Sequence, residues 1–162
     1  MPTDSNYLHI IRKTVAKAAE GTFSHPWNPK SEITGTQLGR LGGLKRIGIS
    51  IARLASGKES FAYHLHHQEE EWIYVLSGRA VALIDGAEYS LEGGDFVAFP
   101  TPSVAHLMTN PGPEELVYLM GGENKPYEVA DFPTLDKRMV KLDGQIAIYK
   151  LSDGKALDGS DA

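Results

Sequence analysis

Short apolar runs alternate with polar turn residues through the middle of the chain. From Lys45 onward, "KRIGISIARLA" and "SFAYHLH" alternate with a period of two, which is typical of strands with one buried face. Further runs rich in β-branched and aromatic residues follow as far as Gly122, separated by Gly, Pro, Asn and Asp. About eight short strands in about 80 residues predict an all-β sandwich or barrel rather than alternating strands and helices.

The segments on either side of this region have a different pattern. Weak helical periodicity near the start predicts a short helix or an arm, and Asp143-Gly144 predicts the turn of a final hairpin. Asp85-Gly86 predicts a second two-residue turn inside the strand-rich region. We expect an N-terminal extension (1–44), a barrel core (45–122), C-terminal strands that complete or flank the barrel (123–151) and a flexible tail (152–162).

Composition narrows the chemistry that the chain can perform. The 162 residues include no cysteine, which excludes disulfides, zinc–thiolate sites, iron–sulfur clusters and thiol nucleophiles. The net charge is −5, and without a basic stripe we expect no nucleic-acid partner. No segment has the pattern of a signal peptide or a membrane span, so we expect a cytoplasmic protein that does not enter the membrane.

One stretch concentrates titratable side chains at the end of a predicted strand. In "YHLHHQEEEWIYVLSG", His64 and His66 are two residues apart and share one strand face. The "HQEE" turn resets the alternation, so that Glu71 faces the same interior as the two histidines. His106 lies on a later core strand and is the candidate for a fourth ligand. One shared metal would satisfy four buried groups that otherwise cost about 1–3 kcal/mol each if unpaired.

These residues resemble the two motifs of the cupin superfamily. His64, His66, Glu71 and Gly78 match the first motif, H-x-H-x(3–4)-E-x(6)-G, and "GDFVAFPTPSVAHLMTN" resembles the second, G-x(5)-P-x-G-x(2)-H-x(3)-N. Pro102 replaces the middle glycine of the second motif, and one extra residue precedes its histidine. The chain is most similar to small single-domain bacterial cupins, several of which carry loose labels such as sugar-phosphate isomerase.

The resemblance implies a fold, a metal and a ligand set. The fold is a double-stranded β-helix, or jelly-roll barrel, with one divalent transition metal held by His64, His66, Glu71 and His106. The ligand types suit Zn, Mn, Fe, Ni or Cu and do not select among them. A homodimer is also expected, because dimers are common in the superfamily.

Three functions remain open at this stage. The first is a metal-dependent isomerase or epimerase acting on a small polar metabolite such as a sugar or sugar phosphate, with Glu70 and Glu71 as candidate acid–base groups. Arg53, Lys58 and Arg79 are candidates for binding a phosphate. The second is an iron-dependent dioxygenase, and the third is a module that binds or senses a small ligand without transforming it.

For the residues near the four candidate ligands, we expect mainly structural roles. His67, Glu69 and Glu70 are expected to be solvated turn residues, and Glu70 is also considered as an alternative ligand or a nearby base. Asn110 is expected to satisfy backbone groups near the site. Trp72 and Phe99, like the other aromatic residues of these strands, are expected to pack in the core.

Overall fold

The computed structural model of the chain describes residues 9–155. Strands dominate, which confirms the all-β class predicted from the alternation. Two short helices, α1 (Lys13–Ala18) and α2 (Leu38–Leu41), and 3-10 turns at Pro133–Leu135 and Leu151–Asp153 complete the secondary structure of this part of the chain. The strands are β1 (Gly21–Phe23), β2 (Ile33–Thr36), β3 (Ile47–Leu54), β4 (Leu65–His66), β5 (Glu71–Ser77), β6 (Arg79–Ile84), β7 (Ala87–Glu92), β8 (Phe96–Phe99), β9 (His106–Thr109), β10 (Leu116–Glu123), β11 (Tyr127–Phe132), β12 (Lys137–Leu142) and β13 (Gln145–Lys150).

The strands form three antiparallel sheets in a jelly-roll arrangement. A six-stranded sheet has the order β1-β2-β3-β10-β5-β8, a three-stranded sheet the order β7-β6-β9, and a four-stranded sheet the order β13-β12-β11-β4. An isolated antiparallel bridge between His64 and His106 links β9 to the segment that enters β4. The smaller sheets are therefore joined at the two histidines, which brings both residues to the same place in the fold.

Two of the connections have the backbone geometry that their residues predict. Asp85 and Gly86 join β6 to β7 with φ values of 49° and 78°, and Asp143 and Gly144 join β12 to β13 with φ values of 48° and 82°. Positive φ at both central residues defines the turn that matches the twist of a two-stranded hairpin. Asp and Gly tolerate this region better than other residues, and both hairpins form where the sequence predicts them.

The core lies between the six-stranded and three-stranded sheets. Its residues come from alternate positions of the strands, as a period of two requires. They are Ile33, Ala52, Leu54, Val75, Ala80, Met108, Leu116 and Tyr118. A second cluster, formed by Ala62, Ala130 and Phe132, packs against Trp27, Leu135 and Met139. Trp27 thus belongs to a core cluster, and its ring lies 5.0 Å from that of Phe132.

Segments outside the predicted barrel core also supply strands. β2 pairs with β3, and β11 pairs with β4, so the sheets extend across both expected boundaries. The division at residues 44 and 122 stays a prediction. Most of the predicted tail, residues 156–162, lies outside the described residues, as does the start of the chain. Among the helices of the described segment, none has the length and apolar character that crossing a bilayer requires.

Candidate metal centre

Backbone pairing places two of the histidines side by side. The His64 N–H donates to the His106 carbonyl oxygen at 3.2 Å, and the His106 N–H donates to the His64 carbonyl oxygen at 2.8 Å. The two imidazole ring centroids are 4.7 Å apart. His66 follows two residues later on the same face, with its ring centroid 4.9 Å from that of His64. The expected convergence of the three histidines is present.

Glu71 brings a carboxylate to the centre of this group. It begins β5 and shares the inward face with Ile73 and Val75, as the parity argument predicts. Its Oε2 atom lies close to the Nε2 atoms of all three histidines: 3.2 Å from His66, 3.3 Å from His106 and 4.0 Å from His64. The three histidines therefore meet around one carboxylate oxygen of Glu71, the fourth predicted ligand.

The protonation of two histidines follows from their second hydrogen bonds. His64 Nδ1 lies 2.7 Å from the Ala62 carbonyl oxygen, and His106 Nδ1 lies 3.0 Å from the Val104 carbonyl oxygen. Carbonyl oxygens only accept, so each Nδ1 carries a hydrogen. In each neutral ring Nε2 then carries a lone pair, and the lone pairs of His64 and His106 both point towards Glu71. Lone pairs beside a carboxylate require a cation between them, either a proton or a metal ion.

The pKa directions agree with this need for positive charge. Burial, together with the nearby His106 and His66, lowers the pKa of His64 to about 3, so that His64 is neutral at physiological pH. Burial alone would lower the pKa of His66, but the adjacent Glu71 outweighs it and raises the pKa. Burial alone would raise the pKa of Glu71, but its interactions with His106 and His66 hold the pKa well below the usual value. Glu71 is therefore an ionised carboxylate at neutral pH.

An orphaned side chain tests whether these residues fit a metal. His66 is buried, and neither of its ring nitrogens has an aligned hydrogen-bond partner among residues 9–155. Such groups are rare in folded proteins unless an ion or water satisfies them. The ligand atoms of His64, His66 and Glu71 all lie within 4.8 Å of one another, which is close enough to hold a metal ion. Imidazole and carboxylate are donors that divalent transition metals accept, so the residues fit the group.

A buried glutamate that the sequence analysis did not single out holds the turn between His66 and Glu71. Glu128, on β11, is 1% exposed. Its carboxylate accepts the backbone N–H groups of His67 at 3.0 Å, Gln68 at 3.2 Å and Glu69 at 2.6 Å. This turn resets the alternation and directs Glu71 inward. Glu128 lies about 60 residues along the chain from the turn, so no local pattern could identify it.

The other acidic residues of the turn lie outside the group of four. Glu69 was expected to be solvated, but it is buried because its Oε1 accepts from Lys141 Nζ at 2.6 Å and from the Lys125 N–H at 2.7 Å. The Glu69 carboxylate, the His66 imidazole and the Glu128 carboxylate form a second group close enough to hold an ion. Hydrogen bonds already occupy Glu69 Oε1 and both oxygens of Glu128. The Glu70 side chain is exposed and does not line the cavity described below.

His67 points away from the three inward histidines. Its Nε2 donates to Asp131 Oδ2 at 2.8 Å, and Arg138 holds the same carboxylate through two hydrogen bonds of 2.7 and 2.8 Å. The ring is half-buried rather than fully solvated as expected. This cluster fixes β11 to β12 on the side opposite the candidate metal centre.

A small cavity opens beside the group of four. It encloses about 150 Å³, and His64, Glu71 and His106 contribute to its wall. An enclosed volume of this size admits a molecule about as large as a six-membered ring. Most of the remaining wall is apolar and includes Phe61, Ile73, Leu91, Val97, Phe99, Leu107, Met108 and Met120. None of the cavity-lining residues in the described part of the chain is Lys or Arg.

Phe99 has a role that its core-packing interpretation did not include. Its ring stacks on that of His106, with centroids 3.7 Å apart and planes 12° apart. The stacking and the Val104 hydrogen bond together fix the orientation of the His106 ring. Asn110 behaves as expected, since its side chain bonds to backbone groups of Leu54, Glu114 and Gly112.

The three basic residues considered for a phosphate do not converge on the cavity. Arg53 pairs with Glu20 and Glu115, and Lys58 pairs with Glu32 at 3.1 Å. Arg79 begins β6 opposite Glu92 and is exposed. None of the three lines the cavity.

Comparison with known proteins adds independent information about this arrangement. Residues 50–122 match the family model described as "Cupin domain". A crystal structure from Acidithiobacillus ferrooxidans ATCC 23270, of a protein provisionally named a sugar phosphate isomerase, is 34% identical with a TM-score of 0.87, over 91% of this chain and 96% of that chain. None of the curated proteins compared with the chain matches it significantly.

Two more solved structures have the same fold. One is described as a sugar phosphate isomerase from a cupin superfamily, from Silicibacter pomeroyi DSS-3; it is 25% identical with a TM-score of 0.73, over 88% of each chain. The other is described as a predicted oxalate decarboxylase from Thermotoga maritima; it is 20% identical with a TM-score of 0.61, over 72% of this chain and 99% of that chain. With the sequence motifs and the jelly-roll fold, these similarities establish that the chain belongs to the cupin superfamily.

Proposed function

We propose that this protein is a metal-dependent enzyme in which His64, His66, Glu71 and His106 bind one divalent transition metal. The observation that carries the proposal is the meeting of three imidazole Nε2 atoms within 4.0 Å of one Glu71 carboxylate oxygen. Two of those rings already donate their Nδ1 hydrogens to backbone carbonyls, which leaves Nε2 free to bind a cation. On a metal that accepts five or six ligands, four protein ligands leave one or two positions for a substrate.

The reaction that we propose is the isomerisation or epimerisation of a small carbonyl-containing metabolite. A bound divalent metal would act as a Lewis acid that polarises a substrate oxygen. Among the chain's own residues, Glu71 supplies an ionised carboxylate, Phe99 holds the His106 ring, and the apolar wall excludes water from the reacting end of the substrate. The names given to two similar proteins support isomerase chemistry.

Glu70 remains a predicted acid–base group. Its exposed side chain favours Glu71 for the role inside the cavity, and Glu70 would act only on a substrate that reaches the turn. The variant Glu70→Gln tests this directly. Lost turnover with full metal content would assign the proton transfer to Glu70, and unchanged turnover would remove it from the mechanism.

A phosphate on the substrate receives little support from the cavity. Arg53 and Lys58 are held in ion pairs with Glu20 and Glu32, and the described residues of the wall include no cation. We therefore propose that the part of the substrate that enters the cavity is uncharged. Any phosphate would remain outside the apolar wall.

The homodimer and the cytoplasmic location remain predictions. Light scattering of the purified protein would measure the mass of the particle against the 17.7 kDa of one chain. Fractionation of the producing cells would locate the protein. A monomeric particle would contradict the first prediction, and recovery outside the cytoplasm would contradict the second.

The experiment that tests the proposed reaction separates its three alternatives. Zinc-, manganese- and iron-loaded protein is incubated in D₂O with a panel of aldoses, ketoses and other hydroxycarbonyl compounds, and the products are followed by NMR. The expected result is deuterium uptake at the carbon beside the carbonyl, in the absence of molecular oxygen. Oxygen consumption that requires ferrous iron would overturn it in favour of a dioxygenase. A ligand retained without turnover would overturn it in favour of a binding module.

A further inference from the structure

Tyr118 occupies a position deep in the wall of the same cavity. It lies on β10, where it faces Ala52 of β3 on one side and Val75 of β5 on the other. Gly122, four residues along β10, pairs with Glu71 at the level of the candidate metal centre. At about 3.3 Å per residue, Tyr118 is therefore about 13 Å further along the strand. One cavity wall includes both Tyr118 and Glu71.

The Tyr118 hydroxyl has no hydrogen-bond partner among residues 9–155. The side chain is 1% exposed, so bulk water does not reach it. Leaving a buried hydroxyl unpaired costs about 1–3 kcal/mol, whereas Phe would fill the same space without that cost. Burial raises the pKa of Tyr118 well above its usual value, so the group keeps its hydrogen at physiological pH. Tyr118 therefore brings a neutral donor to the wall of a mainly apolar cavity.

The composition of the wall defines which molecule would use this donor. The volume of about 150 Å³ admits a ring-sized group, and side chains such as Ile73, Val97 and Met120 surround that space with carbon. The two lining hydroxyl groups other than Tyr118 belong to Ser50 and Ser60, and Ser60 Oγ already accepts the Met108 N–H at 3.1 Å. Ser50 lies opposite Met120, two residues nearer Gly122, so polar recognition at the depth of Tyr118 would depend on Tyr118 and Ser60.

We propose that Tyr118 is a specificity-determining residue that donates a hydrogen bond to the ligand of this cavity. The ligand group at that depth is uncharged, ring-sized and mainly apolar, and it carries one hydrogen-bond acceptor. The inference deepens the proposed function and depends on it only for the statement that the same ligand also reaches the metal-binding residues. The donor and the apolar wall belong to the chain whether or not a metal is bound.

A matched pair of probes tests the proposal without knowledge of the substrate. Cyclohexanone is ring-sized and carries a carbonyl acceptor, whereas methylenecyclohexane has nearly the same shape and no oxygen. Their affinities are measured by NMR titration for the wild type, Tyr118→Phe and Tyr74→Phe. Tyr74 lies on β5 with an exposed side chain, so its variant removes a tyrosine hydroxyl from the same sheet outside the cavity.

We expect Tyr118→Phe to weaken cyclohexanone binding by about five- to tenfold and to leave methylenecyclohexane binding unchanged, since one neutral hydrogen bond accounts for a factor of this size. Tyr74→Phe should change neither affinity. Equal cyclohexanone affinity in the wild type and Tyr118→Phe would mean that the hydroxyl only binds a buried water, and the proposal would be wrong. Failure of both probes to bind the wild type would also overturn it.

Comparison of zinc-loaded with metal-free protein separates this inference from the proposed function. The Tyr118→Phe effect should be present in both forms, because the donor does not depend on the metal. If no metal binds but the probe selectivity is present, the metal-dependent enzyme is refuted and the ligand inference stands. If zinc binds tightly but the selectivity is absent, the ligand inference is refuted and the metal site stands.

Discussion

Replacing Glu128 with glutamine isolates the contribution of one buried carboxylate to the architecture of the site. Oε1 of Glu128 accepts the N–H groups of His67 and Gln68, and Oε2 accepts that of Glu69 at 2.6 Å. In Glu128→Gln the first two bonds fall from charged to neutral strength, at a cost of about 1 kcal/mol each. At the third, the amide places a donor against a donor, at a cost of about 2 kcal/mol. We expect a loss of about 4 kcal/mol in the free energy of unfolding.

Urea denaturation of metal-free protein at pH 7 measures this loss, with the slope of the unfolding curve compared between variants. The matched control is Glu123→Gln. Glu123 accepts the Glu70 N–H at 3.1 Å and pairs with Lys125 at 2.8 Å, but its side chain is 40% exposed. Its replacement should cost less than about 1 kcal/mol. A Glu128→Gln protein within about 1 kcal/mol of the wild type would refute the assignment of Glu128 as the residue that holds the turn.

Two other replacements test electrostatic and backbone features of the fold. A hydrogen bond from Arg138 is the largest influence that lowers the pKa of Asp131, so the ionised carboxylate stabilises the folded protein above the unfolded pKa of about 3.9. In urea denaturation at pH 7, Asp131→Asn should lower the free energy of unfolding by about 2 kcal/mol. The difference in free energy between the variant and the wild type should shrink as the pH falls through the lowered pKa of Asp131. A difference that is independent of pH would contradict this explanation. Gly78 has φ of 84°, and a Cβ there would lie 2.5 Å from the Glu115 carbonyl oxygen, whereas Gly86 has φ of 78° and open space around it. In thermal unfolding, Gly86→Ala should lower the free energy of unfolding by about 1 kcal/mol, and Gly78→Ala should lower it by at least about 2 kcal/mol more. Equal losses in the two variants would contradict the role of the close contact at Gly78.

Local patterns predict much of the fold because they act over a few residues. The Asp85-Gly86 and Asp143-Gly144 turns form where the residue types favour positive φ. The alternation of strand residues places Glu71 on the inward face, and the spacing of His64 and His66 places both rings on one side. His106 is a candidate because it lies on a predicted core strand, and the resemblance to known motifs supports its selection from that distant strand.

Contacts between distant segments account for what the sequence did not reveal. Glu69 is buried because Lys141, on strand β12, donates a hydrogen bond to its carboxylate. The strands that carry Glu128 and Tyr118 have no distinctive sequence pattern. The roles of these two residues depend on the groups that face them across the interior. A period of two identifies the inward face of a strand but not the partner opposite it.

The central claim is that three histidines and one glutamate bind a metal, and metal content tests it most directly. Protein purified without an affinity tag or added metal is analysed for its elements, alongside His106→Ala and His67→Ala. His67 is the control, because its ring pairs with Asp131 away from the site. The account predicts about one equivalent of a transition metal in the wild type and in His67→Ala, and its loss from His106→Ala. Wild-type metal content in His106→Ala, or no metal uptake by the wild type on reconstitution, would contradict it.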